Sequence, residues 1–267
     1  KVMGLAPYGN KKYVDKILKL INLEKNGKFT LNLKYFLHSN QRIPYQWENS
    51  TPIIGKHYSQ ELVDLLGLQR NNNEKISQRH MDIAHSLQFV FEQALTHILN
   101  NIFNIYGSYN LTLAGGCAAN SVANGKICSN TSFRNLYVQS AAGDAGGALG
   151  AALHKWYENN PRESQEKMSP YLGPSSSKSD IDKTIIKKGF FSDESKEKFM
   201  IFKIGDPEVK NLNQFIDKVS NYIVDGLVIG WYQGKMEWGP RALGNRSIIG
   251  DPRRKDMKDI LNKKIKR

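Results

Sequence analysis

Arg241 and Arg246 lie five residues apart in a loop punctuated by glycines, and Ser247 follows directly. Arginine side chains bind phosphate through paired hydrogen bonds, and a serine hydroxyl can add a further donor. These residues therefore predict a binding site for a phosphorylated substrate. A solvated basic loop, or pairing of the arginines with Glu237, is the alternative interpretation.

Two other glycine-rich segments follow predicted strands and open predicted helices. The first contains Gly115 and Gly116, and the second, residues 143–147, contains Asp144 and Gly146. Glycine lets the backbone approach a ligand closely, and a helix N-terminus offers N–H donors to phosphate. Together the segments indicate a nucleotide site. Asp144 could ligate a divalent metal or merely cap the helix, and the sequence leaves both open.

The histidines and cysteines give weaker signals. His80 and His85 are five residues apart, a poor spacing for shared metal ligation on a helix, and His97 lies close to a predicted apolar stripe. All three are interpreted as structural. Cys117 sits beside a glycine turn, but no histidine or acid is tied to it locally, so it is not predicted to be a nucleophile.

The composition sets the class of protein. The chain has 267 residues, 40% of them hydrophobic, enough for one large or two modest domains. Its net charge of +13 favours anionic partners, although composition alone favours a solvated lysine-rich surface. Two cysteines indicate no disulfide framework, so a cytoplasmic location is expected. No membrane-spanning run or signal peptide is visible, and both ends are expected to be cut from a longer protein.

Hydrophobic periodicity predicts the elements that position these residues. The clearest is an amphipathic helix from about Ile83 that ends before Gly107. Upstream of it, the patterns predict a helix over residues 11–23, a strand over 29–37, irregular chain over 38–52 and a short helix over 58–66.

Downstream, strands at residues 111–113 and 136–138 each lead into a glycine turn and a helix, which predicts an α/β layer. A Pro/Ser-rich stretch from about residue 159 is typical of a domain linker. Beyond it the patterns predict a helix over residues 212–224, a buried strand over 227–232 and a basic helix that begins at Asp251 and Pro252.

Several segments carry a more specific signal. They are residues 1–9 (KVMGLAPYG), 79–84 (RHMDIA) with Ser86 and Gln88, 113–120 (LAGGCAAN) with 123–125, 142–150 (AGDAGGALG), 171–174 (YLGP), and 239–248 (GPRALGNRSI) with 251–253. In this order they resemble the NodU/CmcH-type carbamoyltransferases. The resemblance runs from the first residue almost to the last.

The resemblance implies two domains. Residues 1–165 would be the C-terminal lobe of an actin/Hsp70/sugar-kinase-like (ASKHA) domain, and residues 166–267 the truncated start of a YrdC-like α/β domain. It implies an enzyme that joins carbamoyl phosphate and ATP into a carbamoyl-adenylate. The carbamoyl group then passes to a hydroxyl of a small acceptor, such as a sugar, a nodulation factor or an antibiotic. A divalent metal, Fe²⁺ or Mg²⁺/Mn²⁺, is the implied cofactor beside ATP.

By resemblance, Asp144 corresponds to the metal-ligand aspartate. The catalytic part of the adenylate-forming site, which holds phosphate, corresponds to Arg241, Arg246 and Ser247. The nucleotide-facing loops correspond to Gly115, Gly116, Asn120, Gly143 and Gly146. The metal's usual histidine ligands belong to the missing lobe, so this chain alone is not expected to be fully active. Departures from the usual Val, Leu and Arg occur at Cys117, Ala119 and Lys235.

A related ATPase or kinase without carbamoyl chemistry is the main alternative. It would explain the two glycine segments but not residues 239–247. A nucleic-acid binder is suggested only by the net charge, and no RNA-binding motif is visible. Neither nucleic acid nor a membrane is therefore expected as a partner.

Overall fold

A computed structural model describes residues 2–71, 73–160, 169–188, 201, 203–204 and 209–261. The chain forms two compact units, Lys1–Gly143 and Asp144–Arg267. The expected domain boundary between residues 165 and 166 lies outside the described residues and stays a prediction. Among the helices described, none combines the length and apolar character needed to cross a membrane.

The first unit opens with short elements instead of one helix over residues 11–23. Strand β1 (Ile21–Leu23) pairs antiparallel with β2 (Phe29–Leu31), after helices α1 (Val2–Leu5) and α2 (Val14–Leu18). The predicted helix was wrong beyond Leu18. Ile21 continues the helical spacing in sequence, but its backbone pairs with a strand ten residues further on, which periodicity alone cannot reveal.

The next segment contains a hairpin that the sequence did not predict. The predicted strand over residues 29–37 ends at Leu31, and strands β3 (Tyr45–Glu48) and β4 (Thr51–Ile54) pair within and beyond the segment expected to be irregular. Asn49 and Ser50 form the turn at positive φ. Without a glycine, that turn lacks the usual hairpin signal. Helix α3 (Gln60–Leu66) confirms the short helix.

Helix α4 (Gln78–Tyr106) confirms the long amphipathic helix and begins earlier than Ile83. Ser77 and His80 cap its start, and Gly107, at φ 65°, ends it with its N–H donating to Phe103 O at 2.8 Å. Its C-terminal half carries the centre of the core, where buried side chains pack together: Leu99, Leu111, Ile127 and Phe133.

Strands β5 (Asn110–Leu113) and β6 (Asn135–Val138) pair in parallel, and helix α5 (Ser121–Asn130) connects them. Parallel neighbours require such a crossover because the chain must return to the same end of the sheet. This strand–helix–strand arrangement confirms the mixed α/β class. The finer assignments to ASKHA and YrdC-like domains stay predictions.

The second unit contains four helices and a two-stranded sheet among the residues described. Helix α8 (Leu212–Val224) confirms its prediction, capped by Asn211, whose side chain accepts from Gln214 N at 3.0 Å. The remaining elements are α6 (Asp144–Asn159), α7 (Lys178–Lys187), β7 (Ile229–Tyr232), its antiparallel partner β8 (Arg246–Ile249), and α9 (Met257–Ile260).

Two predictions in this unit were wrong. Strand β7 is not buried: its residues alternate between half-buried and exposed, because it belongs to a two-stranded ladder. The helix expected to begin at Asp251 and Pro252 begins instead at Met257. The Asp251 carboxylate binds the Arg253 guanidinium, so it does not cap a helix at that point.

Replacing Leu99 with Ala should lower the free energy of unfolding by about 3 kcal/mol, because it leaves a cavity in the core around a side chain that is 2% exposed. Ile105→Ala is the matched control, since Ile105 lies on the same helix but is 64% exposed. Urea denaturation of both variants measures the difference. Equal losses would contradict this placement of the core.

Candidate functional site

The N-terminal half of α4 holds the irregular opening segment through buried polar side chains. The Asp82 carboxylate accepts from Gln78 Nε2 at 2.8 Å and from the N–H of Asn10 at 2.9 Å, and the Ser86 hydroxyl accepts from the N–H of Tyr13 at 3.0 Å. The Gln78 bond, helped by Asn10 and opposed by burial, holds the pKa of Asp82 below its usual value. These motif residues therefore have a structural role.

The structure brings together three of the predicted glycines, all within the first unit. The N–H of Gly115 donates to Ala142 O at 2.7 Å, and a Cβ on Gly143 would lie 3.9 Å from the Cα of Gly116. Gly115 has φ 96°, so its backbone requires glycine. Gly116 is not at positive φ, and a Cβ there would meet no atom within 4 Å in the described part of the chain. Neither packing nor backbone conformation therefore explains why residue 116 is a glycine.

Asn120 caps α5 and pairs with Gln88, a partner that sequence reasoning did not identify. Its Oδ1 accepts from Ala123 N at 3.1 Å and from Gln88 Nε2 at 3.2 Å, while its Nδ2 donates to Gln88 Oε1 at 3.0 Å. Gln88 also donates to Glu92, which forms an ion pair with Lys126 at 2.7 Å. The observed role of Asn120 is thus to fix the loop, and a contact with nucleotide stays a prediction.

Asp144 is the first residue of α6, and Gly146 lies in the same turn. Both belong to the second compact unit, whereas Gly115, Gly116 and Gly143 belong to the first. Within the residues that the structure describes, no group of three or more His, Cys, Asp or Glu side chains could hold a metal ion. The metal-ligand role of Asp144 stays a prediction.

Glu237 closes the loop between β7 and β8, a role that was not predicted. Its Oε1 accepts from the backbone N–H groups of Leu243 at 2.8 Å, Asn245 at 2.6 Å and Arg246 at 3.4 Å. Burial of the Glu237 carboxyl raises its pKa, but the three amides and the Arg246 charge outweigh burial and hold the pKa below its usual value. The sequence signal that could have identified this role is an acidic residue placed just before a glycine-rich loop.

Arg246 ties the same loop from the other side. Its guanidinium donates to the carbonyl oxygens of Gln233, of Gly234 at 3.2 Å and of Asn245 at 2.9 Å, and it stacks on the Tyr232 ring at 3.6 Å. Stacking and several donors in one plane are both properties of arginine that lysine lacks. Arg246 is therefore part of the loop's framework as well as a source of positive charge.

The other two predicted catalytic residues lie close to Arg246 in sequence. Arg241 is exposed within the loop. Ser247 is half-buried in β8, directly opposite Trp231 of β7. The structure thus places Arg241, Arg246 and Ser247 on one loop and the strand that follows it.

Asp251, two residues after the end of β8, is buried and binds Arg253 in a two-pronged ion pair. Arg253 Nε lies 2.9 Å from Oδ1 and Nη2 lies 2.8 Å from Oδ2, and the N–H of Arg253 donates to the same carboxylate. The Arg253 side chain and backbone hydrogen bonds outweigh burial and lower the pKa of Asp251 to about 2. The Asp251 carboxylate is therefore ionised at physiological pH.

An open cleft of about 440 Å³ adjoins this loop within the second unit. Its volume is typical of small-ligand sites, and it is lined by Leu149, Leu172, Gly173, Met236, Glu237 and Trp238. The N–H of Gly173 donates to Met236 O at 3.0 Å, so the Tyr-Leu-Gly-Pro segment lies beside the start of the loop. The cleft is a second place near the predicted phosphate site where a ligand could bind.

Comparison of the sequence with models of known protein families identifies the family of this chain. The family model described as Carbamoyltransferase N-terminus matches residues 1–153, which is more than half of the chain, and Carbamoyltransferase C-terminus matches residues 220–267. The chain belongs to the carbamoyltransferase family. This confirms the resemblance noted in the sequence. The glycine segments fall within the first match and Arg241, Arg246 and Ser247 within the second.

Comparison with individual proteins supports the same family assignment for this carbamoyltransferase chain. It is 39% identical to an uncharacterized protein, sll1178, of Synechocystis over 281 residues, which covers 100% of the chain and 40% of that relative. It is 34% identical to the nodulation protein NolNO of Sinorhizobium fredii and 31% identical to NolO of Bradyrhizobium diazoefficiens, and each match covers 100% of the chain. The chain spans 34% and 42% of those two relatives.

Replacing Arg253 with Gln should raise the pKa of Asp251 from about 2 toward its ordinary 3.8, because the guanidinium is its main partner. Since the folded pKa is depressed, the pair stabilises the fold above about pH 4, and this stabilisation is lost as the pH falls toward 2. Carboxyl carbon NMR measures the titration. Arg254→Gln is the comparison: Arg254 pairs with Asp256 and is the smallest of the causes that lower the Asp251 pKa, so it should shift the midpoint less than Arg253→Gln does. An unchanged Asp251 midpoint in Arg253→Gln would contradict the pairing.

Proposed function

We propose that this chain is part of an enzyme that activates carbamoyl phosphate with ATP and transfers the carbamoyl group to a hydroxyl of a small molecule. Membership of the carbamoyltransferase family supports the transfer of a carbamoyl group. The observation that carries the activation step is the ordered loop between β7 and β8, which contains Arg241 and leads directly into Arg246 and Ser247 at the start of β8.

Arginines suit this chemistry because both substrates are polyanions. Arg241 contributes an exposed guanidinium to the loop, and Arg246 contributes a fixed charge whose orientation is set by three carbonyls and the Tyr232 ring. Fixed positive charges stabilise a phosphoryl group most as negative charge develops on it, because no reorganisation is needed during the reaction. Ser247 would add a neutral donor to a phosphate oxygen.

Atom balance requires a hydrolytic step in the proposed activation. Carbamoyl phosphate and ATP together carry four phosphates, whereas a carbamoyl-adenylate and pyrophosphate carry three, so water must release one inorganic phosphate. A carbamate oxygen then forms a bond to the α-phosphorus of ATP, and pyrophosphate leaves. Finally the acceptor hydroxyl attacks the carbamoyl carbon, loses its proton, and releases AMP. The mixed anhydride is sensitive to water, so the transfer needs an enclosed site.

The glycine segment around Gly115 and Gly116 is the proposed nucleotide contact of the first unit. Gly116 supports it, because its lack of a side chain is explained by neither backbone nor packing. Asp144 can supply one oxygen ligand to a divalent metal, Fe²⁺ or Mg²⁺/Mn²⁺, and would need further ligands from elsewhere. A metal bound there would polarise the carbonyl oxygen of the transferred group.

The acceptor is proposed to be a small hydroxyl-bearing molecule such as a sugar, a nodulation factor or an antibiotic. Relatives named as nodulation proteins support this class. Because the chain covers under half of those relatives, their remaining residues are available to contribute to acceptor selection.

Arg241→Ala in the full-length protein should lower carbamoyl-phosphate-dependent release of pyrophosphate from ATP by about 100-fold, because one charged contact to phosphate is lost. Coupled enzymatic detection of pyrophosphate measures it. Arg42→Ala is the control: Arg42 is also exposed, and its removal changes the net charge equally. If wild-type protein released no pyrophosphate in response to carbamoyl phosphate, an ATPase or kinase without carbamoyl chemistry would replace this proposal.

Gly116→Val should weaken binding of a non-hydrolysable ATP analogue about tenfold, since the added methyl groups would occupy the approach to the loop. Its melting temperature should stay near that of the wild type, because the side chain enters open space. Calorimetric titration in an Arg241→Ala background isolates the first-unit site. Gly125→Val is the control, because a Cβ there also meets nothing within 4 Å. Unchanged affinity in Gly116→Val would argue against a nucleotide at this loop.

A further inference from the structure

We infer that Glu237 is a positioning residue, which clamps the loop carrying Arg241 in the geometry needed to bind phosphate. The inference rests on the proposed function for its catalytic consequence. The loop geometry that supports it is independent of any substrate.

The clamp consists of one carboxylate oxygen that holds three backbone amides. Those amides belong to Leu243, Asn245 and Arg246, and they lie 2.6 to 3.4 Å from Glu237 Oε1. The bonds join the start of the loop to its end, so they close a ring of residues that includes Arg241. Gly244, at φ 108°, lies among the bonded residues. Successive amides around a left-handed residue form a concave site for an anion, and here that anion is Glu237.

The backbone around Glu237 is itself held in place. The backbone residues on both sides of Glu237 are paired with an adjacent segment: Met236 N donates to Pro174 O at 2.9 Å, and Trp238 N donates to Pro170 O at 2.8 Å. Tyr171 of that segment also reaches the far end of the loop, where its hydroxyl donates to Leu243 O at 2.9 Å. The carboxylate therefore acts from a fixed point, and movement of the loop must break its hydrogen bonds.

Arg246 supplies the reciprocal half of the clamp. Glu237, in the first part of the loop, binds amides at its end, whereas Arg246, where the loop meets β8, binds the carbonyls of Gln233 and Gly234, the first residues after β7. Arg246 also lowers the pKa of Glu237 through its charge, as the last of several causes. The Glu237 carboxylate thus satisfies backbone N–H groups, and the Arg246 guanidinium satisfies backbone C=O groups. Arg241 lies between these two attachment points in the sequence.

The chemistry of the side chain predicts a graded series of variants. Glutamine keeps an oxygen acceptor for the amides but loses the charge, whereas alanine leaves the three amides without this acceptor. Hydrogen bonds to a charged acceptor are stronger than those to a neutral one. Loop order should therefore fall from Glu to Gln to Ala at position 237.

The experiment compares Glu237→Gln and Glu237→Ala with wild type in the full-length protein, with Asp217→Ala as an exposed acidic control. Carbamoyl-phosphate-dependent pyrophosphate release gives kcat and KM, and limited trypsin digestion gives the rate of cleavage after Arg241. We expect kcat to fall about 100-fold in Glu237→Ala, as misplacement of a catalytic group by about 1 Å can do. Glu237→Gln should be intermediate, trypsin should cut Glu237→Ala faster, and added acetate should partly restore kcat in Glu237→Ala alone.

A wild-type kcat together with wild-type trypsin resistance in Glu237→Ala would overturn the inference. So would an equal loss of kcat in the Gln and Ala variants without acetate rescue, because a graded acceptor role would then be excluded. If Glu237→Ala fails to fold, Glu237→Gln decides by the same two readouts. If wild-type protein releases no pyrophosphate, the proposed function fails, and the trypsin rates alone then decide whether Glu237 clamps the loop.

Discussion

Backbone N–H and C=O groups that lie outside regular helices and strands must still find partners, and this constraint organises both units of the protein. A few side chains supply these hydrogen-bond partners. Asp82 and Ser86 accept from the opening segment, His97 bonds to the carbonyls of Glu24 and Lys28, and Glu237 gathers three amides of its loop. An unpaired buried backbone group costs about as much as a lost hydrogen bond, so these side chains hold the irregular chain in place.

Several of the motif residues meet the same constraint. Segments that resemble carbamoyltransferases are rich in polar residues that bond to backbone: Asp82, Ser86 and the paired amides of Gln88 and Asn120. Of these residues only Asn120 was predicted to face a ligand, although the side chains that bind a phosphate also bind an amide or a carbonyl. In the structure most of them support loops, and the loops carry the groups proposed to meet substrate.

Arg246 shows how framework and chemistry overlap in one residue. Its guanidinium bonds to carbonyl oxygens and stacks on Tyr232, so part of its hydrogen-bonding capacity serves the loop. Its charge is nonetheless held in a defined place, which is what electrostatic stabilisation of a phosphoryl group requires. Arg241 is exposed on the same loop, whose two ends are tied by Glu237 and Arg246. The hydrogen bonds of Glu237 and Arg246 thus hold the two ends of the loop, while Arg241 between them stays exposed.

The sequence by itself determined the long helix α4, helix α8, the two strand–glycine–helix units and membership of the carbamoyltransferase family, because periodicity and dense motifs are local properties. Tertiary structure alone decided the β1–β2 pairing, the β3–β4 hairpin, the exposure of β7 and the start of α9 at Met257. It also decided that Asp251 binds Arg253 and that Glu237 closes its loop. Each of these depends on which partner satisfies a hydrogen-bonding group, and that choice is made by the folded chain because several partners are chemically equivalent in the sequence.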